Sequence, residues 1–353
     1  MTHQTGISRR TLLGGLAAVS ALGGCGGNQR PARSVNQPAS SAVPALLLPL
    51  TGSNAGLGQR MAKAVWLQED LGGLPRRTLV LDAGETPEQA VSAAQDATQR
   101  GANLLIGPLL RDQTPSVVRA AGQVPVMTLS NDNALAQAGA WVFGVTPKQS
   151  ADAVLRYAKS ARSKRVVLLD SGDALSARAA SALDQGARKA GIARVTKIPA
   201  STASEQIANA LRQAGGGEMP DILYVPASDD RAQSQAIAAV GAGVTTIGSL
   251  QWSGLSRDAF LRLDKACYTG PDPVQFNRLS AAYMAQLDEQ MGVIAALAVD
   301  AVALAHQVGG GPALDRKKPA QGLLGQYQFL PDRTLKRELA VLRINGGAVE
   351  RVA

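Results

Sequence analysis

The sequence has 353 residues, 45% of them apolar, with 36 Lys and Arg against 27 Asp and Glu for a net charge of +9. Such a composition excludes a disordered chain and a polytopic membrane protein, and aromatics at 3% leave a nucleic-acid surface without its stacking platform. Only two cysteines, Cys25 and Cys267, and two histidines are present, too few for a disulfide scaffold, a zinc finger or a Cys/His nucleophilic pair. The length suggests about two domains.

Residues 1–24 read as an export signal: a basic start at Arg9 and Arg10, a mild apolar stretch from Thr11, then small residues before Cys25. This stretch is too short for a permanent membrane-spanning helix. Leu22-Gly23-Gly24-Cys25 resembles the lipobox of bacterial lipoproteins, which implies a mature chain starting at a lipidated Cys25 outside the cytoplasm. Ser8-Arg9-Arg10-Thr11-Leu12-Leu13 is similar to a twin-arginine signal, and ordinary Sec export with two incidental arginines stays equally open. Residues 25–43 carry Pro, Ser, Asn and Gln without hydrophobic period, a flexible tether with a reach of about 23 Å. Gly26 after the lipid Cys favours the outer membrane, so the expected place is the periplasmic face of a bacterial membrane.

From Pro44 the pattern alternates strand and helix. An apolar strand at 45–49 meets a small-residue loop at 50–56, then Leu57, Met61, Ala64, Gln68 and Leu71 at helical spacing, stopped by Gly72-Gly73. A strand at 78–82, a helix from Thr86-Pro87 and a strand at 102–108 follow. Further strands are expected at 124–129, 141–145, 165–169, 195–198, 221–225, 244–247 and 266–269, with helices at 150–161, 174–190, 204–214 and 230–240. After Gly270-Pro271 two helices come in succession, 274–289 and 292–308, and then strands at 325–330 and 338–344 with a hairpin turn at Asn345-Gly346. Fully apolar strands alternating with helices imply α/β architecture with parallel sheets covered on both faces.

Leu48-Pro49-Leu50-Thr51-Gly52, Ile106-Gly107-Pro108-Leu109, Val124 to Asn131 and Ala295 to Val302, in this order, resemble the type 1 periplasmic binding proteins of the leucine/isoleucine/valine-binding class. The resemblance implies two Rossmann-like lobes joined by three hinge crossovers, with a ligand cleft between them. Lobe 1 is then 44–145 plus 271–324, and lobe 2 is 146–270 plus 325–353. The lipobox, the short tether and the end from Gly325 to Leu342 further resemble the penicillin-binding protein activators, lipoproteins related to the C-terminal domain of the outer-membrane activator LpoA. That implies a regulator of a peptidoglycan synthase (a penicillin-binding protein) acting by protein contact. The alternative is a lipid-anchored substrate-binding protein of an ABC transporter for an amino acid or other small polar ligand.

In parallel sheets the carboxyl ends of the strands and the helix N-termini after them face a ligand. By position the cleft candidates are Thr51, Ser53, Arg111, Gln113, Ser130, Asn131, Ser171, Asp173, Ser228 and Asp229, with Trp252 as a possible wall. Ser130, Asp173 and Asp229 are equally well placed to cap the helices that follow. Asp170-Ser171-Gly172-Asp173 stands where amino-acid binders place a Tyr-Gly pair, which puts a standard amino-acid pocket in doubt. His306 at a helix end and Cys267 in a strand read as structural, Trp66 and Trp141 as packing, and Gly215 to Gly217 and Gly309 to Gly311 as helix stops. No metal set, cofactor fingerprint or catalytic constellation stands out, so the chain reads as non-enzymatic.

Overall fold

The computed structural model describes residues 43–73, 76–309, 314 and 318–353. The export signal, Cys25 and the tether therefore lie outside the described residues. The described residues all fall in one compact unit.

The first sheet is all parallel, in the order β2-β1-β3-β4-β5, from β1 (Pro44–Leu48), β2 (Leu79–Asp82), β3 (Leu104–Ile106), β4 (Val126–Thr128) and β5 (Trp141–Val142). Between them run α1 (Ala55–Leu71), α2 (Pro87–Gln99) and α3 (Thr114–Ala120). All five residues of β1 are buried, which is why its sequence is a continuous apolar run and does not alternate. Thr86 starts α2 with a reciprocal capping box: its hydroxyl accepts from the Gln89 N–H while the Gln89 side chain accepts from Thr86. Gly58 lets α1 approach the preceding loop, since a Cβ there would lie 2.1 Å from the Pro49 carbonyl oxygen.

The second sheet has the order β15-β14-β10-β9-β8-β6-β7. Its parallel part comprises β6 (Arg165–Asp170), β7 (Arg194–Pro199), β8 (Ile222–Val225), β9 (Thr245–Gly248) and β10 (Cys267–Gly270). The hairpin of β14 (Ala340–Asn345) and β15 (Ala348–Arg351) adds antiparallel to β10. The helices here are α4 (Pro147–Ser160), α5 (Ala174–Ala190), α6 (Ile207–Ala214), α7 (Asp230–Gly241) and α8 (Arg257–Arg262). Each sheet has its own hydrophobic core on both faces, so the chain has two lobes of the doubly wound kind.

After β10 the chain returns to the first lobe as α9 (Pro273–Leu287) and α10 (Val293–Val308). α10 is buried along nearly its whole length against α1 and the first sheet, as its apolar sequence requires. A third, antiparallel sheet follows, of β11 (Ala320–Gly322), β12 (Gly325–Phe329) and β13 (Leu335–Arg337). The sequence assigns 325 onward to lobe 2, but Tyr327, Phe329 and Leu335 pack into the core of lobe 1. Aromatic edges explain it: Phe329 meets Trp141 with ring centroids 5.0 Å apart, and Tyr327 meets Phe143 at 5.2 Å. The last passage between lobes accordingly falls between β13 and β14, about a dozen residues later than the sequence places it.

Asp300, in the middle of α10, is the polar keystone of this region. Its carboxylate accepts the backbone N–H groups of Leu323 at 2.6 Å and Leu324 at 3.1 Å. Fully buried Arg337 lies 3.3 Å from it and also donates to the Phe143 carbonyl oxygen. The guanidinium sits between the rings of Phe143 and Tyr327, at 4.9 and 5.1 Å from their centroids. Burial pushes the Asp300 carboxyl up, opposed by Arg337 and by the two N–H groups.

Candidate functional site

Between the lobes lies a cavity of about 400 Å³. Lobe 1 contributes Leu57 and Arg60 of α1, the loop after β3 (109–111), the loop after β4 (129–131) and the first turn of α10. Tyr224 at the end of β8 and the loop after β9 (249–254) contribute from lobe 2, and Val145, Thr146 and Pro147 of the first crossover close the back. Most of the wall is aliphatic, with hydroxyls from Ser130, Thr146, Ser150, Tyr224, Ser249 and Ser253.

Of the candidates read from the sequence, the structure brings Arg111, Ser130 and Asn131 to this cavity. The others lie outside its lining. Thr51 donates its hydroxyl to Asp82 at 2.7 Å, and the Ser53 N–H and hydroxyl both bond Glu85, so the loop after β1 is drawn toward β2 and away from the cleft. Gln113 is buried, its amide donating to the carbonyl oxygens of Ala83, Gly84 and Thr86. Asp173 and Asp229 cap α5 and α7 by accepting from Ser176 and Ala232. Ser171 lies with Asp170 and Asp229 in a separate surface depression, and Ser228 uses its carbonyl oxygen to hold Gln233. Trp252 is fully buried beneath Gly248, its indole N–H donating to the Ala227 carbonyl oxygen at 2.8 Å. It is core and not cleft wall, because a strand-end glycine leaves it the space that a Cβ 2.0 Å from its ring would fill.

Residues that the sequence reading passed over do line the site: Arg60, Thr146, Ser150 and Tyr224. Arg60 and Tyr224 sit inside regular elements, where helical spacing and an apolar run concealed them. Thr146 precedes the proline that starts α4 and carried the only signal, as a hinge position. Its hydroxyl is buried without a partner among the described residues. The Tyr224 hydroxyl, also buried, lies beside Ser150 without forming a well-aligned hydrogen bond, and burial pushes its pKa up.

At the cleft mouth, Asp132 of lobe 1 accepts from Arg111 and lies 3.3 Å from Arg178 of α5, so one buried carboxylate ties the two lobes. Burial alone would raise its pKa, but the Ala134 N–H and the two guanidiniums together hold it below the ordinary carboxylate range. A depressed folded-state pKa means that the tie is present at neutral pH and is lost only as pH falls through that lowered pKa, which lies below the usual value of about 4. We expect the small-angle scattering radius of the protein to rise in that acid range. Asp132→Asn should show the larger radius already at pH 7 and lose that step; an unchanged radius would assign the pair a purely local role.

His306 pairs with buried Glu69 at 3.4 Å, while Cys267 is core. Among the described residues no helix is long and apolar enough to cross a membrane.

Comparison with known proteins agrees with this two-lobed geometry. The family described as periplasmic binding protein matches residues 45–348. No curated protein matches the chain. A Rhodospirillum rubrum protein assigned to branched-chain amino acid ABC transport superposes with a TM-score of 0.75 at 18% identity, over 88% of this chain and 100% of that one. Full-length LpoA from Haemophilus influenzae gives 0.69 at 16%, over 90% of this chain, which spans 60% of that protein. The LpoA C-domain from the same organism, a regulator of PBP1A, gives 0.67 at 16%, over 88% of this chain and 99% of that domain.

Proposed function

Because the chain belongs to the periplasmic binding protein family, we propose that it is a periplasmic recognition protein, held to a membrane by lipid at Cys25, that regulates a peptidoglycan synthase by direct contact. The observation that carries this reading is the cleft wall. Among the described residues no Asp or Glu lines it, so an amino acid's ammonium group has no counter-charge from them there, although the fold is equally that of amino-acid receptors. The likeness to the LpoA C-domain over nearly its full length is what supports the regulator, alongside an equally full likeness to transport receptors. Lipid anchoring would keep such a regulator within reach of a membrane-embedded synthase. The test is co-purification with the periplasmic domains of bifunctional penicillin-binding proteins from the same bacterium: one of them should be retained, and retention of none would remove the reading.

A second reading, a substrate-binding protein for a transporter, is favoured by a different observation. Thr146 and Tyr224 line the cavity, and their hydroxyls are buried without a well-aligned partner among the described residues.

A further inference from the structure

We propose that the end of lobe 2 remote from the cleft is a docking surface for peptidoglycan, the hydrated cell-wall polymer that carries peptide carboxylates. The inference rests on the periplasmic location proposed above and not on contact with a synthase, so either can fail alone.

The surface is the amino-terminal edge of the second sheet. Six exposed cations meet there: Lys159 in the last turn of α4, Arg162 and Lys164 in the loop after it, Arg188 and Lys189 in the last turn of α5, and Arg194 at the start of β7. Packing makes them one face. α4 lies against α5, and the Lys164 carbonyl oxygen accepts the N–H groups of Ala193 at 2.8 Å and Arg194 at 3.0 Å. The Lys164 ammonium reaches the Gly191 carbonyl oxygen at 3.3 Å. None of the six forms an ion pair among the described residues.

The local acids do not cancel this charge. Glu218 pairs with Arg165, and Asp221 accepts the backbone N–H groups of Lys164 at 2.7 Å and Arg165 at 2.9 Å. Counting Arg165 with the six, and Asp184 of α5 with those two acids, this end carries +4 of the chain's +9. Lys159, Arg188 and Lys189 also offset the negative ends of their helices. Arg162, Lys164 and Arg194 lie outside the helices, and a helix dipole's field falls off within the last turn.

Two observations select the partner. No exposed large apolar side chain belongs to α4, α5, β7 or the loops between them, so the face offers neither a hydrophobic centre for a protein interface nor a wedge for a bilayer. It suits a partner that stays hydrated and is held by charge alone. The second observation is one of direction. Pro44 opens β1 at the amino-terminal edge of the first sheet, and the carboxyl edges of both sheets face the cleft. The basic face and the start of lobe 1 therefore stand at opposite ends of the body. A chain held by lipid ahead of Pro44 meets its own membrane with lobe 1 and offers lobe 2 to the wall.

The test is co-sedimentation with purified peptidoglycan sacculi of residues 39–353, which contain every core cluster of the fold. At an ionic strength of about 10 mM, where charges act over about 30 Å, the protein should pellet with the sacculi. At about 1 M, where that reach is about 3 Å, the bound fraction should fall roughly five-fold or more. Lys159→Gln, Lys189→Gln and Arg194→Gln together should cause a loss of roughly the same size at low salt, while Arg77→Gln, Arg119→Gln and Arg278→Gln on lobe 1 should leave binding within about two-fold. Both triple variants should melt as the wild type does. Sacculi whose carboxylates are converted to methylamides should retain roughly five-fold less protein, a reading that needs no variant. Failure to pellet at low salt overturns the proposal, as does equal loss in the two triple variants or undiminished binding to the methylamide sacculi. Tighter binding to phosphatidylglycerol vesicles than to sacculi overturns it in favour of a membrane surface.

Discussion

Arg337→Ala should destabilise the protein by about 3–5 kcal/mol, the cost of leaving a buried charge without its partner. Arg337 is fully buried, and its removal strands Asp300 in the core of α10 with only the Leu323 and Leu324 N–H groups to hold it. Two aromatic faces lose the cation between them as well. Because Phe143 lies just before the first crossover and β13 just before the last, the loss falls on the strands that tie the third sheet to lobe 1. Urea denaturation should show the midpoint falling. The double variant Asp300→Asn with Arg337→Met should recover part of the loss, since two well-packed neutral side chains avoid the stranded charge. A single variant no less stable than wild type would mean that the pair contributes nothing to folding.

Trp252→Ala should cost about 3–5 kcal/mol, the range for emptying a large aromatic from a packed core. The indole fills the space over Gly248 within the core of lobe 2, and its departure also leaves the Ala227 carbonyl oxygen without its donor. Gly248→Ala tests the same fit from the other side: a Cβ 2.0 Å from the ring forces Trp252 to move and should cost about 1–3 kcal/mol by overpacking. Thermal melting of both variants measures this. Were Trp252 a ligand-facing wall, its removal would change binding and barely touch the melting temperature.

The alternation of apolar strands and helices was legible from Pro44 to the end, because strands buried on both faces must be continuously apolar and helices between them must carry a period. The third sheet was less so. β11 and β13 are three residues each, and the segment's allegiance to lobe 1 rests on aromatic contacts to Trp141 and Phe143, which no local pattern announces. The site was legible as a rule of position: loops after parallel strands gave Arg111, Ser130 and Asn131. The rule also gave Thr51, Ser53 and Gln113, because sequence does not reveal that Asp82, Glu85 and the carbonyl oxygens at 83, 84 and 86 already hold them. Asp300 stands as a lone acid in the apolar stretch Ala295 to Val302, a feature the sequence reading did not use, and its partner Arg337 lies 37 residues away.

The regulator reading meets its most direct test in a synthase assay. Purified residues 39–353 would be titrated into a bifunctional peptidoglycan synthase of the same bacterium, and the rate of glycan polymerisation and cross-linking followed. We expect a saturable change in rate with the stoichiometry of a complex. A rate that stays flat at concentrations far above that of the synthase, for every such enzyme of the organism, would contradict it and leave the cleft's ligand as the function to pursue.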